Sequence, residues 1–193
     1  MSPQNNPASN QMKIFPESSF FEERRAPALP PPADIRTLNK ESGNIRATSF
    51  NCPPPVMIPS LGLVVKYGAD VTIVEAQTQI MLRKQLQGRV PVPEVFGWTE
   101  DGDQTFIYMS LIEGKTLMER WGDLNEDEIR AVCEELNHLV KMFRALEQDT
   151  CDHYIGSLGK QPLKRHSSCA PSRPCWTVPR CKRRRAVSRC LRN

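Results

Sequence analysis

Apolar side chains follow two different spacings along this chain. In the run Leu61–Lys66 they alternate with other residues, which predicts a single short strand that has Lys66 at its end. Residues 71–87 carry apolar side chains at broadly helical spacing, and Gly88 is placed to end that helix. Residues 125–148 repeat apolar positions every three or four residues and begin with an asparagine followed three residues later by glutamate, a capping box. The pattern therefore predicts one strand and two helices.

A hairpin is predicted between the two helices. Residues 95–99 and 104–109 read as strands on either side of Glu100-Asp101-Gly102-Asp103, in which Gly102 can take the positive φ that tight hairpin turns need. The preceding Val90-Pro91-Val92-Pro93 is expected to be extended, because each proline disfavours helical geometry in the residue before it. These elements together predict an α+β fold in which an antiparallel sheet packs against a helix.

The two ends of the chain differ in composition from the middle. Residues 1–43 contain seven prolines and no sustained apolar periodicity, so we expect them to form a disordered Pro-rich arm. The alternative is that the Phe20-Phe21 pair in this arm docks on a partner protein. Residues 164–193 are rich in Arg, Cys, Ser and Pro and are expected to form a disordered tail. The predicted folded part is therefore 44–163.

Charge is divided sharply along the sequence. The formal net charge of the whole chain is +4. Residues 164–193 contain ten basic residues and no acidic one, so the rest of the chain has a net negative charge. The block Lys182-Arg183-Arg184-Arg185 is the type of sequence that binds nucleic-acid phosphates. The abrupt change in composition is more typical of a shifted reading frame, a retained intron or a misplaced exon.

Cysteine use and hydropathy indicate the compartment. The seven cysteines are scattered without a secretory signal, and the four in the tail lack the close pairing of zinc sites, so we expect free thiols, no metal and a reducing cytoplasmic location. No apolar stretch approaches the ~20 residues of a membrane span. We therefore expect no membrane association.

Lys66 and Glu75 form the strongest candidate site. A lysine on a strand can present its ammonium to phosphate oxygens, and a carboxylate on the following helix can hold that ammonium by a charge-assisted hydrogen bond. Their separation of nine positions suits a strand, a turn and the start of a helix. The pair is predicted to lie within bonding distance and to serve as part of a nucleotide site.

Four motifs resemble those of one known family. The chain is similar to the fungal branch of the aminoglycoside phosphotransferases, which share the protein-kinase-like fold. The motifs are VVKYG (64–68), VPVPEVFGW (90–98), FIYMSLIEGKTLMERW (106–121) and YIGSLGKQPL (154–163). The resemblance implies that 44–163 is a partial kinase-like domain with a small lobe, a hinge and the first large-lobe helices.

The resemblance also implies roles for the connector that follows the second hairpin strand. Met109 would be the gatekeeper beside the adenine of ATP, and the Ser110 carbonyl and the Ile112 amide would bind the base through the backbone. ATP binding is expected to be weak, because no glycine-rich loop that could cover the phosphates is recognisable before Leu61. Magnesium is a cofactor of intact family members, and no ligands for it are identified in this chain.

The residues that carry the family's chemistry are not found in this sequence. The family uses a His-Gly-Asp loop, but none of His138, His153 and His166 is followed two residues later by aspartate, and the last acid is Asp152. We therefore expect a truncated phosphotransferase-like protein that does not phosphorylate a small-molecule hydroxyl, and its substrate cannot be read. The alternatives are an interaction module whose exposed half-core self-associates and a nucleic-acid binder acting through residues 164–193.

Overall fold

A computed structural model describes residues 12–86 and 88–146, and over these the protein is α+β. Five strands form one antiparallel sheet in the order β1-β4-β5-β3-β2. The strands are β1 (Lys13–Ile14), β2 (Val56–Ile58), β3 (Leu63–Gly68), β4 (Val95–Asp101) and β5 (Gln104–Ser110). The helices are α1 (Ser19–Glu22), α2 (Pro32–Glu41), α3 (Ile73–Leu86), α4 (Leu117–Arg120) and α5 (Glu126–Arg144).

The chain divides into two compact units. Met1–Ile112 holds the sheet and helices α1 to α3, and Glu113–Asn193 holds α4 and α5. Among the described residues, no helix is both long enough and apolar enough to cross a membrane. The predicted tail, residues 164–193, lies outside the described part of the chain.

The hairpin predicted from the DG turn is confirmed. Asp101 at the end of β4 pairs with Gln104 at the start of β5, so the loop contains only two residues. Both have positive φ, 56° for Gly102 and 60° for Asp103, as a type I′ turn requires. Strand β4 continues two residues beyond the predicted Thr99, because this tight turn lets the strand pairing run up to Asp101.

Helix α3 covers one face of the sheet. Its buried Ala76, together with Val71 just before the helix, packs against Val95, Trp98 and Ile107 of β4 and β5. The helix lies within the predicted segment 71–87. The backbone at Gly88 has a positive φ of 74°, as expected for the glycine that ends a helix.

The N-terminal segment covers the opposite face of the sheet. Phe20 of α1, Leu29 and Ile35 of α2 are buried in the cluster that holds the β3 side chains Leu63 and Val65. For residues 12–43 this corrects the expectation of a disordered arm, since they have a described structure and contribute side chains to the core. Residues 1–11, the rest of the predicted arm, lie outside the described part of the chain. Two of the prolines in this segment mark the start of α2: Pro31 is its N-cap, and Pro32 is its first residue, where the missing N–H costs no helical hydrogen bond.

Polar contacts fix this segment to the sheet. The Asn39 amide donates to the hydroxyl of Tyr67 over 2.8 Å and to the Pro54 carbonyl over 3.0 Å. On the same helix, Arg36 donates to the Gln104 side chain over 3.0 Å and forms an ion pair with Asp101. These contacts join α2 to three separate parts of the sheet unit.

Strand β1 needs a glycine on its neighbour. Lys13 and Ile14 pair with Trp98 and Gly97 of β4. A Cβ added at Gly97 would lie 2.5 Å from the carbonyl oxygen of Lys13, which is too close for any side chain. Gly97 therefore permits β1 to approach β4 and so to extend the sheet.

In the second unit, both helices begin with capping boxes. The Asn125 side chain accepts from the amides of Asp127 and Glu128, each over 3.0 Å, as the sequence predicted. Helix α5 ends at Arg144, before the predicted Gln148, which lies outside the described residues. In α4, hydrogen bonds from the Thr116 amide and hydroxyl to the Glu119 carboxylate hold the pKa of that carboxyl below its ordinary value.

Replacing Phe20 by alanine is predicted to lower the free energy of unfolding by about 3–5 kcal/mol, because a fully buried aromatic ring is removed from the core. Urea denaturation followed by circular dichroism measures this change. Phe50→Ala is the matched control, since its ring is 53% exposed and its loss should cost clearly less. Equal effects of the two substitutions would contradict the role given to the N-terminal segment.

Tyr108→Phe is predicted to leave the free energy of unfolding unchanged or to raise it by up to ~1 kcal/mol. The hydroxyl of Tyr108 is buried without a hydrogen-bond partner among the described residues, and burial raises its pKa. The control is Tyr67→Phe, which removes the acceptor of Asn39 and should cost about 1 kcal/mol. Thermal unfolding of both variants shows whether each substitution raises or lowers stability. A clear loss of stability in Tyr108→Phe would mean that the Tyr108 hydroxyl does have a hydrogen-bond partner.

Candidate functional site

The predicted ion pair between Lys66 and Glu75 is formed. Lys66 pairs with Ile107 in the β3–β5 ladder and lies on the face of the sheet that α3 covers. Its ammonium donates to Oε2 of Glu75 in the first turn of α3. Both side chains keep about two-fifths of their surface exposed, 41% and 40%, so the pair remains accessible from solvent. Lys66 lies two residues before the end of β3, rather than at the predicted last position.

Glu75 is held at both carboxylate oxygens. Its Oε1 accepts from the backbone amide of Thr72 over 3.2 Å, while Oε2 accepts from Lys66. Thr72 immediately precedes α3, so this contact is the glutamate half of a capping box, and the positive end of the helix dipole also favours a carboxylate here. The Thr-x-x-Glu pattern was readable in the sequence, although our sequence reading used only the glutamate. The helix start therefore fixes the carboxylate that orients the lysine.

The connector after β5 is fixed by its neighbours. The Ser110 amide donates to the Glu94 carbonyl over 2.8 Å, and the Glu94 amide donates to the Ser110 hydroxyl over 2.9 Å. The next amide, that of Leu111, donates to the Gly62 carbonyl over 2.9 Å. Met109 pairs with Val64 and packs on the same apolar cluster as α3. Residues 109–111 are thus held against both neighbouring strands.

Ile112 differs from the residues before it. Its side chain is 64% exposed, and its backbone amide has no hydrogen-bond partner among the described residues. Ser110 lies three residues beyond Ile107, the partner of Lys66, which places the connector roughly 10 Å from the lysine along the sheet. An open backbone donor and an accessible ammonium therefore occur in the same unit.

Glu94 was not predicted as a site residue, yet it links three parts of the sheet unit. Its carboxylate accepts from the Ser19 amide over 3.2 Å and from the Ser19 hydroxyl over 2.7 Å. The carboxylate also forms an ion pair with Arg83 of α3, with 3.9 Å between Oε2 and the guanidinium nitrogen. With its backbone bonded to Ser110, Glu94 joins α1, α3 and the connector. In the sequence this glutamate stands within a proline-rich extended segment, so only the folded chain reveals the role.

Two parts of the expected site are weak. Residues 42–55, which precede β2, form turns and bends rather than a strand hairpin that could cover phosphates. In the described part of the chain, no three His, Cys, Asp or Glu side chains come together as ligands of a metal ion. The arrangement can therefore offer one cation and backbone groups to an anionic ligand.

Comparison of the chain with protein-family models, with curated proteins and with solved structures gives no match. The structure accordingly defines an α+β protein whose five-stranded antiparallel sheet carries the Lys66–Glu75 pair.

Proposed function

We propose that the sheet unit is a nucleotide-binding small lobe of the kinase-like type, similar to that of the aminoglycoside phosphotransferases. The observation that carries the proposal is the ion pair between Lys66 on β3 and Glu75 in the first turn of α3. In kinase-like proteins a strand lysine paired with a helical glutamate binds the phosphates of ATP. The sheet, the helix and the connector occur here in the order that this role requires.

The electrostatics of the pair support phosphate binding. A partly exposed ion pair contributes at most ~1 kcal/mol to stability. Little stability is therefore lost when the Lys66 ammonium donates some of its hydrogen bonds to a ligand instead of to Glu75. A phosphate offers several anionic oxygens, and hydrogen bonds between charged groups are stronger than neutral ones. Glu75 meanwhile keeps its bond to the Thr72 amide and continues to hold the lysine in position.

The connector supplies the groups for the base. The amide of Ile112, which has no partner in the described structure, is the proposed donor to adenine, and the carbonyl of Ser110 is the proposed acceptor. The bonds between Ser110 and Glu94 preorganise this segment before a ligand arrives. Met109 lies between the connector and Lys66 along β5, as a gatekeeper would.

We propose nucleotide binding without phosphoryl transfer for this chain alone. None of its histidines begins a His-x-Asp sequence, so the base and metal ligands used by the family are not identified. A magnesium ion would therefore be carried mainly by the nucleotide phosphates, as is usual for this cation. The cytoplasmic location remains a prediction.

Mg-ATP is predicted to bind weakly to the purified chain, and Lys66→Met is predicted to weaken that binding by about tenfold, because one charged hydrogen bond to phosphate is lost. Isothermal titration calorimetry measures the affinity. Glu75→Gln should give a smaller loss, since the amide oxygen can still accept from Thr72.

Lys40→Met is the matched control, because Lys40 is an exposed lysine of α2, the helix that packs on the opposite face of the sheet. It should leave the affinity for Mg-ATP unchanged. Equal affinities of the two lysine variants, or no detectable binding by the wild-type chain, would refute the nucleotide site. Formation of ADP or of a phosphorylated small hydroxyl compound would refute the claim of inactivity.

A second candidate function, self-association, is favoured by α5. This 19-residue helix has no buried residue among those described. Leu136, Val140 and Phe143 lie at helical spacing and are 47%, 43% and 40% exposed. An apolar stripe of this kind on a helix favours association with another protein surface.

If α5 drives self-association, Leu136→Glu is predicted to reduce the apparent mass towards that of one chain, because a charge is placed on the apolar stripe. Size-exclusion chromatography with light scattering measures the mass. His138→Glu adds the same side chain at an exposed position and should leave the mass unchanged. A wild-type chain that is monomeric throughout the accessible concentration range would exclude this candidate.

A further inference from the structure

A groove lies between helix α3 and the β1 edge of the sheet. Its volume is about 670 Å³, within the range of roughly 300–1,000 Å³ that is usual for small-molecule sites. The α3 wall presents one stripe of the helix, with positions spaced by three, four, seven and eight residues. The residues that line this wall are Gln77, Ile80, Met81, Lys84 and Gln85.

Aromatic rings form the opposite side of the groove. Phe15, just after β1, meets Trp98 of β4 edge to face, with ring centroids 5.3 Å apart. The ammonium of Lys13 lies 5.0 Å from the centre of a Trp98 ring and 6.0 Å from that of Phe15. This arrangement holds a cation directly over an apolar floor.

Two lysines, Lys13 and Lys84, lie among the residues that line the groove. Neither Lys13 nor Lys84 forms an ion pair with a carboxylate in residues 12–86 or 88–146. The remaining polar lining residues, Gln77 and Gln85, are neutral. The groove therefore combines an apolar floor with two lysines among its lining residues.

We propose that this groove binds an organic acid that has an aromatic or aliphatic body and a carboxylate. The body would lie against Trp98, Phe15 and the apolar side chains of α3, and the carboxylate would be bound by Lys13 and Lys84. The charge complementarity selects an anion, and the aromatic floor selects against small inorganic ions, which cannot bury apolar surface. This site is distinct from the Lys66–Glu75 pair and does not rest on nucleotide binding, although α3 contributes to both.

The test uses naphthalene-2-acetate and its uncharged amide as matched probes. We expect both to perturb the indole NH signal of Trp98 in ¹H–¹⁵N NMR spectra of the full chain, and the acid to bind about fivefold more tightly than the amide. Addition of Mg-ATP should not displace either probe. Assignment of the Trp98 signal comes from a Trp98→Phe variant.

Lys84→Ala and the double variant Lys13→Ala, Lys84→Ala should reduce the preference for the acid stepwise, while the amide still binds. Lys84 is an exposed helical residue, so the single variant remains informative if the double variant fails to fold. Lys40→Ala, outside the groove, should change nothing. Equal affinities for acid and amide in the wild-type chain, no perturbation of Trp98, or full displacement by Mg-ATP would each overturn the proposal.

Discussion

Burial of both faces of the central strands is the constraint on which this structure depends. Strands β4 and β5 are almost continuously buried, and a sheet with apolar side chains on both faces requires a cover on each. Helix α3 supplies one cover and the segment from α1 to α2 supplies the other. Each cover is short, and each is fixed by a few specific polar contacts in addition to apolar packing.

The candidate nucleotide site follows from this layered arrangement. Packing of α3 on the sheet brings the start of the helix beside β3, and the capping contact with Thr72 then directs the Glu75 carboxylate toward Lys66. On the other side of β5, Glu94 ties the connector to Ser19 of the N-terminal cover. Each end of the candidate site is therefore hydrogen-bonded to one of the two covers.

The two proposed binding sites make different demands on the same helix. The nucleotide site uses the N-terminal turn of α3, where backbone dipoles favour a fixed carboxylate. The organic-acid groove uses a stripe farther along, from Gln77 to Gln85, and takes its charge from lysine side chains at the rim. Their ligands share negative charge, but only the groove has an aromatic floor that can bury an apolar body.

Local structure could be predicted from the sequence wherever the conformation of a short segment depends mainly on its own residues. The DG hairpin, the glycine after α3 and the Asn125 cap were predicted because φ preferences and capping bonds act within a few residues. The pairing of Lys66 with Glu75 was also predictable, because a strand, a turn and a helix start leave little freedom over nine residues.

The N-terminal segment could not be read in this way. Its buried side chains, among them Phe20 and Ile35, are too widely spaced to show a period, and its prolines imitate a disordered arm. The role of Glu94 and the groove beneath Lys13 likewise depend on residues that are distant in sequence. The sequence by itself determined the local elements and the central ion pair, since these are short-range effects. Only the tertiary structure decided which segments cover the two faces of the sheet and where their charged side chains lie. The reason is that these segments have no strong local preference for one conformation, so burial against residues distant in sequence determines their positions.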